Sequence, residues 1–182
     1  MAKVFYAIIE GLVGAGIVHV AMLLLLPALS QRDAWTSLAS AAPLYETVAQ
    51  DRAPTALGQD PFFASAACRF DLSEGPVTVA AQGSVPFWSI SVYGREGQNL
   101  YSLTDRALAG QLGLVLLDPS QAAAQGNAEP DPQAPTPVRI DTEEGILVLR
   151  SFNPDPSWTA SVRAFLSSLR CSRPAETTAP PQ

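Results

Sequence analysis

Residues Val4 to Leu29 read VFYAIIEGLVGAGIVHVAMLLLLPAL, an apolar run broken only by Glu10 and His19. As one helix it is about 39 Å long, enough for a tilted crossing of a hydrocarbon core of about 30 Å. A helix also satisfies its own backbone groups, as lipid demands. Two readings stay open. One is a permanent anchor. The other is a leader removed after Ser30, because Ala28-Leu29-Ser30 has the small-x-small form of a cleavage site. The run exceeds the apolar core of a leader, about 7–15 residues, and Lys3 is the one basic residue before it, which favours the anchor. Either reading carries the remaining chain across the membrane. Lys3 on one side and Arg32 on the other agree weakly with the positive-inside rule. The expected location is the inner membrane, crossed once, with the C-terminal domain in the periplasm.

Glu10 is the costly residue of this run, since a carboxylate at the centre of a membrane helix is unfavourable by about 2.5–3.5 kcal/mol. Helical geometry places it on a face with Ala7, Gly14 and Val18. Ala7, Gly11 and Ala15 repeat beside it at four-residue spacing, and small residues so spaced let two helices approach closely. Glu10, Gly11, Gly14 and Ala15 are therefore candidates for a helix interface, with a membrane-protein partner or a second copy. The other reading is that Glu10 snorkels to the headgroups. His19 lies about half a turn round the helix from Glu10, so the two form no intrahelical pair.

The inventory narrows the chemistry. Seventeen acidic residues against eleven basic ones give a net charge of −6, which opposes the positive stripe that nucleic acid requires. Lys3 and His19 are the single lysine and histidine. Beyond residue 20 there is no imidazole or amine for a Ser-His-Asp or Cys-His arrangement, nor for a histidine-rich zinc site. No cofactor is expected, and the inventory weighs against an enzyme.

The soluble part is β-patterned. Residues 31–66 are a connecting segment, with a short helix capped by Asp33 and ended by Pro43. A β-rich extracytoplasmic domain follows over 67–173. Cys68 to Leu72 and Val77 to Ala80 alternate around the Ser73–Pro76 turn. Val85 to Tyr93 is the strongest strand, with Trp88, Ile90 and Val92 on one face. Gly94-Arg95-Glu96-Gly97 turns it back into Asn99–Leu103. Gly113–Leu117 is a further short strand, and Val138–Asp141 is expected to pair with Ile146–Arg150 across the Thr142–Gly145 turn. Residues 120–137 and 174–182, rich in Ala, Gln and Pro, are expected to be a flexible loop and a disordered tail. Asp155-Pro156-Ser157 starts a helix whose stripe is Trp158, Val162, Phe165, Leu166 and Leu169. The fold class is thus mainly β with a C-terminal helix, an antiparallel sheet or sandwich, preceded by one transmembrane helix.

Cys68 and Cys171 would face an oxidising space outside the inner membrane, where a bridge would tie the end of the last helix to the first strand. The other reading is two unrelated buried thiols.

Three segments resemble a known family. They are Phe70-Asp71-Leu72-Ser73-Glu74-Gly75-Pro76-Val77, Pro86-Phe87-Trp88-Ser89-Ile90-Ser91-Val92-Tyr93, and Asn99-Leu100-Tyr101-Ser102-Leu103-Thr104-Asp105-Arg106. Together with Leu149-Arg150 and the helix near Val162, they are similar to the domain of unknown function numbered twelve-fifty-four, as carried by uncharacterised bacterial integral membrane proteins. The resemblance covers about residues 60–170 and the anchor. It implies a β-rich fold and no defined activity, so it transfers no catalytic residue.

The remaining polar candidates for ligand contact are Tyr93, Arg95, Tyr101, Asp105 and Arg106. The guanidinium groups would suit an anion or carboxylate, and the aromatic rings a small planar ligand. Each has a structural alternative in cross-strand packing or a surface ion pair. Asp71 is expected to cap the turn that follows it. The functional expectation is a non-enzymatic interaction or structural module in the envelope. The alternatives are a small-molecule binding module and a carboxylate- or metal-dependent hydrolase.

Overall fold

The computed structural model describes residues 2–108, 111–125 and 134–173. Helix α1 (Ala2–Ala41) leads into β1 (Val48–Ala49), α2 (Pro54–Leu57), β2 (Phe63–Asp71), β3 (Val77–Ala81), β4 (Trp88–Gly94) and β5 (Asn99–Thr104). Then come β6 (Leu112–Leu117), α3 (Pro119–Gln125), β7 (Thr136–Arg139), β8 (Glu144–Phe152), α4 (Thr159–Ser167) and β9 (Arg170–Ser172). One sheet runs β1-β2-β8-β4-β5 and the other β7-β6-β3-β9. All pairs are antiparallel except β6 with β7. The fold is a β-rich α+β arrangement of two sheets with a C-terminal helix and a long apolar N-terminal helix, as the patterning implied.

Inward residues of both sheets share one core. Phe70, Ile90, Val92, Leu147 and Leu149 come from the five-stranded sheet, and Val77, Val79, Leu114 and Leu116 from the other. Val162, Phe165, Leu166 and Leu169 join the same core from α4 and the residues after it. Cys68 in β2 and Cys171 in β9 are disulfide-bonded, tying the sheets together through that core. Trp158 is an exception to the expected stripe, being 36% exposed. It sits in a 3₁₀ turn before the helix proper, where the helical period has not yet begun. Asp155 caps that turn by accepting from the Ser157 backbone N–H at 2.8 Å.

β2 and β8 are the central strands, and both of their faces are buried. Ile146 and Val148 on one face alternate with Leu147 and Leu149 on the other. That explains a continuous ILVL run in place of alternation. Gly145 opposes Phe70 in this register. A Cβ at Gly145 would lie 2.5 Å from the Phe70 ring and from the Tyr93 carbonyl oxygen, so only glycine leaves room for the ring.

Several expectations are corrected. The helix does not stop at residue 30, nor does a second helix begin at Asp33; α1 is one unbroken helix. The segment expected to connect, 31–66, belongs largely to the domain. Leu38, Val48, Ala53 and Leu57 are buried, and β2 starts at Phe63 instead of Ala67. Val138–Asp141 and Ile146–Arg150 do not form a hairpin. β7 pairs in parallel with β6 and β8 lies in the other sheet, so Thr142–Glu143 crosses between sheets. The Ser73–Pro76 turn likewise joins two sheets. The strand expected from Val85 begins at Trp88. Within the expected loop 120–137, residues up to Gln125 are helical, and Thr136 and Pro137 open β7. Asp118 caps that helix, accepting from the backbone N–H of Ser120 and Gln121 at 2.6 and 2.9 Å. Residues 126–133 and the tail 174–182 lie outside the described residues.

Candidate functional site

The outer face of the five-stranded sheet carries the densest meeting of charged and aromatic groups. The last turns of α1 and the short α2 cover it, and Leu38, Ala42, Val48, Ala53, Leu57, Ala67, Ile146 and Val148 form a second core there. Trp35, one turn before Leu38, packs against this core. The Arg69 and Arg95 guanidinium carbons stand 4.9 and 5.0 Å from the Trp35 ring centroid, within cation–π range. Arg95 also forms an ion pair with Glu144 at the start of β8.

Each side chain is placed for a local reason. Arg69 lies on β2 between Cys68 and Phe70, which both face the inner core, so its side chain points to the α1 side. Its Nη2 donates to the Ala42 carbonyl at 3.0 Å. That carbonyl is among those a helix C-terminus leaves without an intrahelical donor, and it lies at the negative end of the helix dipole. Burial lowers the Arg69 pKa and the Glu144 carboxylate opposes that shift. A guanidinium stays cationic regardless at ordinary pH. Its Nε is buried and has no hydrogen-bond partner. Arg95 follows Gly94 in the β4–β5 hairpin. The Gly97 backbone N–H donates to the Gly94 carbonyl at 2.8 Å, and Gly97 adopts φ 83°, where glycine is favoured.

The five ligand-contact candidates are not brought together. Tyr93 packs on the α1 side of the sheet, near the second core, and Arg95 joins it there at Trp35. Tyr101 lies opposite Val92 and packs on the inner core, so it belongs to the other face. Asp105 and Arg106 sit in a 3₁₀ turn after β5. The ion pairs among the described residues are Arg95–Glu144 and Arg173–Glu74, so Asp105 and Arg106 do not pair with each other. Asp71 does cap its turn, accepting from the Ser73 backbone N–H at 2.8 Å.

Sequence reasoning missed Trp35, Arg69 and Glu144 as one unit. The available signal was Arg69 itself. An arginine inside the buried stretch Ala66-Ala67-Cys68-Arg69-Phe70 needs a partner that covers it.

The helix-interface candidates Glu10, Gly11, Gly14 and Ala15 lie on Ala2–Leu26, none of which is buried. Nothing lies within 4 Å of where a Cβ would project from Gly11 or Gly14. The stretch is long and apolar enough to cross a membrane by length and composition.

Two solved structures share the fold. The VPA0106 protein from Vibrio parahaemolyticus is 11% identical with a TM-score of 0.58, over 81% of this chain and 35% of that one. An uncharacterised protein from Burkholderia cenocepacia is 18% identical with a TM-score of 0.52, over 84% of this chain and 41% of that one. The chain therefore spans well under half the length of either structure. No family model matches it. No curated protein matches it either.

Proposed function

We propose that the chain is a single-pass inner-membrane protein whose β domain stands in the periplasm as a non-enzymatic interaction or structural module. We place it with the membrane proteins that carry the domain of unknown function numbered twelve-fifty-four. The observation that carries this reading is the continuity of α1. The same helix whose exposed span through Leu26 is apolar but for Lys3, Glu10 and His19 buries Leu38 in the domain without a break. A helix apolar all round needs lipid or a partner, whereas a one-sided stripe needs a core. Removal of a leader after Ser30 would cut inside this helix, one turn before Trp35. The Cys68–Cys171 bridge fits an oxidising compartment.

Docking α1 through Trp35, Arg69 and Leu38 fixes the direction of the domain relative to the span. A partner engaging Glu10, Gly11, Gly14 and Ala15 in the membrane would then set the domain's orientation as well. The test is crosslinked co-purification of the tagged full-length protein from native membranes, beside a Glu10→Leu variant. A stoichiometric membrane protein or a second copy, diminished in the variant, is the expected result. An unchanged set of crosslinks would remove the helix-interface role. A second reading, a ligand-binding module, is favoured by a groove on another face of the domain.

A further inference from the structure

The two sheets end on four edge strands among the described residues, β1, β5, β7 and β9. A bare edge presents unpaired backbone N–H and C=O groups, and proteins blunt it by shortness, charge or proline. β1 has two residues, and β9 has three, Arg170 among them. β7 carries Pro137 and Arg139. β5 has none of these devices. Asn99-Leu100-Tyr101-Ser102-Leu103-Thr104 is six residues long, uncharged and free of proline. Its irregularity lies at Leu100, beside the hairpin, and Tyr101–Thr104 pairs regularly with Ser89–Val92. Leu100 and Tyr101 pack on the inner core yet stay half-buried. Charge stands at the two ends of β5 and not on it. Glu96 in the hairpin before it and Arg106 in the turn after it are both exposed, and neither belongs to an ion pair among the described residues.

We infer that β5 is the pairing edge for a second copy of this chain, joining the five-stranded sheets of both into one. Antiparallel self-pairing brings Arg106 of each copy to the hairpin end of the other, where Glu96 stands. Opposite charges then meet at both ends, whereas a parallel pair would set like against like. Tyr101 and Leu103 lie opposite Val92 and Ile90, on the core face, and Ser102 lies on the α1 face. Pairing centred on Ser102 therefore sets Tyr101 against the second copy's Leu103, and Ser102 against its counterpart. A slip of one residue would set Ser102 against Leu103 and lose this match. The two-fold axis of such a pair is perpendicular to the sheet. Both α1 helices thus dock on the same face of the joined sheet, as two anchors in one membrane require. An edge pair buries little area and is weak between free copies, and confinement in a membrane raises the effective concentration. The pairing chemistry rests on β5 and its flanks, not on the membrane reading.

The test is oxidative crosslinking of the full-length Ser102→Cys variant in native membranes, read on non-reducing gels. The two native cysteines are bonded to each other, so the introduced thiol is the free one. Ser102 is exposed, so the variant keeps its fold, which its melting profile verifies. Arg139→Cys, on an edge of the other sheet, is the control. A dimer band is expected for Ser102→Cys, well above the control. Glu96→Arg or Arg106→Glu, each added to Ser102→Cys, should lower the dimer yield several-fold, and the two together should restore it. No dimer, equal yield from the control, or no recovery in the double reversal would each overturn the inference. Glu10→Leu, added to Ser102→Cys, separates this edge from the helix interface proposed in the span. The crosslink should persist there, and its loss would assign the association to the span and overturn the edge.

Discussion

The two ends of α1 differ in what they pack against. Over Ala2–Leu26 the side chains are apolar apart from Lys3, Glu10 and His19 and none is buried, so the segment has no face packed on the domain. Over the last turns, Leu38 is 2% exposed while Thr36 and Ser40 stay in water, the pattern of a helix lying on a sheet. One continuous helix thus changes along its length from an exposed apolar span, long enough to cross a membrane, to a face packed on the domain. The lesson is that apolar content alone does not say where a helix belongs. The distribution of apolar residues around its axis does.

This contrast can be broken or sharpened by substitution. The largest effect is expected away from α1, in the inner core. Replacing Cys68 and Cys171 by serine opens a loop of 103 residues. The chain-entropy estimate for a loop of about 100 residues is on the order of 4.7 kcal/mol. Denaturant unfolding of the variant should show a clearly lower midpoint, and an unchanged midpoint would mean that the bridge adds nothing to the packed core.

The direct contrast comes next, with the same change made at both ends of α1. Leu38→Ala should cost about 2–5 kcal/mol of domain stability, the range for truncating a buried leucine. Leu24→Ala, on the exposed span, should leave the domain's melting point in detergent unchanged. Equal responses at the two positions would erase the distinction between the two ends.

Trp35→Leu removes two cation–π contacts at about 0.5–1 kcal/mol each, so a loss of about 1–2 kcal/mol is expected from thermal melts. Added salt should weaken the exposed Arg95–Glu144 pair while leaving the half-buried Arg69 contact largely intact.

The smallest effect concerns pH at α4. Hydrogen bonds from the Ser157 hydroxyl and backbone N–H hold the Asp155 carboxyl below its ordinary pKa. The cap therefore contributes fully above the ordinary carboxylate range and is lost as pH falls through the lowered folded-state value. Amide exchange at Ser157 should accelerate on acidification relative to the centre of α4. Asp155→Asn should flatten that dependence.

Much of the fold was legible in the sequence, where local chemistry decides it. The Trp88-Ile90-Val92 alternation, the Gly94–Gly97 turn, the Asp155 cap and the apolar run all depend on neighbours within a few residues. What escaped depends on distant partners. Val138–Asp141 and Ile146–Arg150 look like a hairpin locally, but β7 is drawn to β6 and β8 is flanked by β2 and β4. The two-sided burial of β2 and β8 hid in runs with no alternation to read. Tyr93 and Tyr101 looked like one aromatic site because strand adjacency was legible. The irregular register after Val92, which pairs Val92 with Tyr101 and Tyr93 with Asn99, was not. Trp35 and Arg69 are 34 positions apart, and no local pattern joins them.

The central claim is that the apolar span, proposed to lie in the membrane, continues unbroken into the helix docked on the domain. Intact-mass measurement of the protein extracted from native membranes tests it most directly. The account predicts a mature chain that retains the apolar span through Ala28-Leu29-Ser30 and resists alkaline extraction. A mature chain beginning at Gln31 and released in soluble form would contradict it.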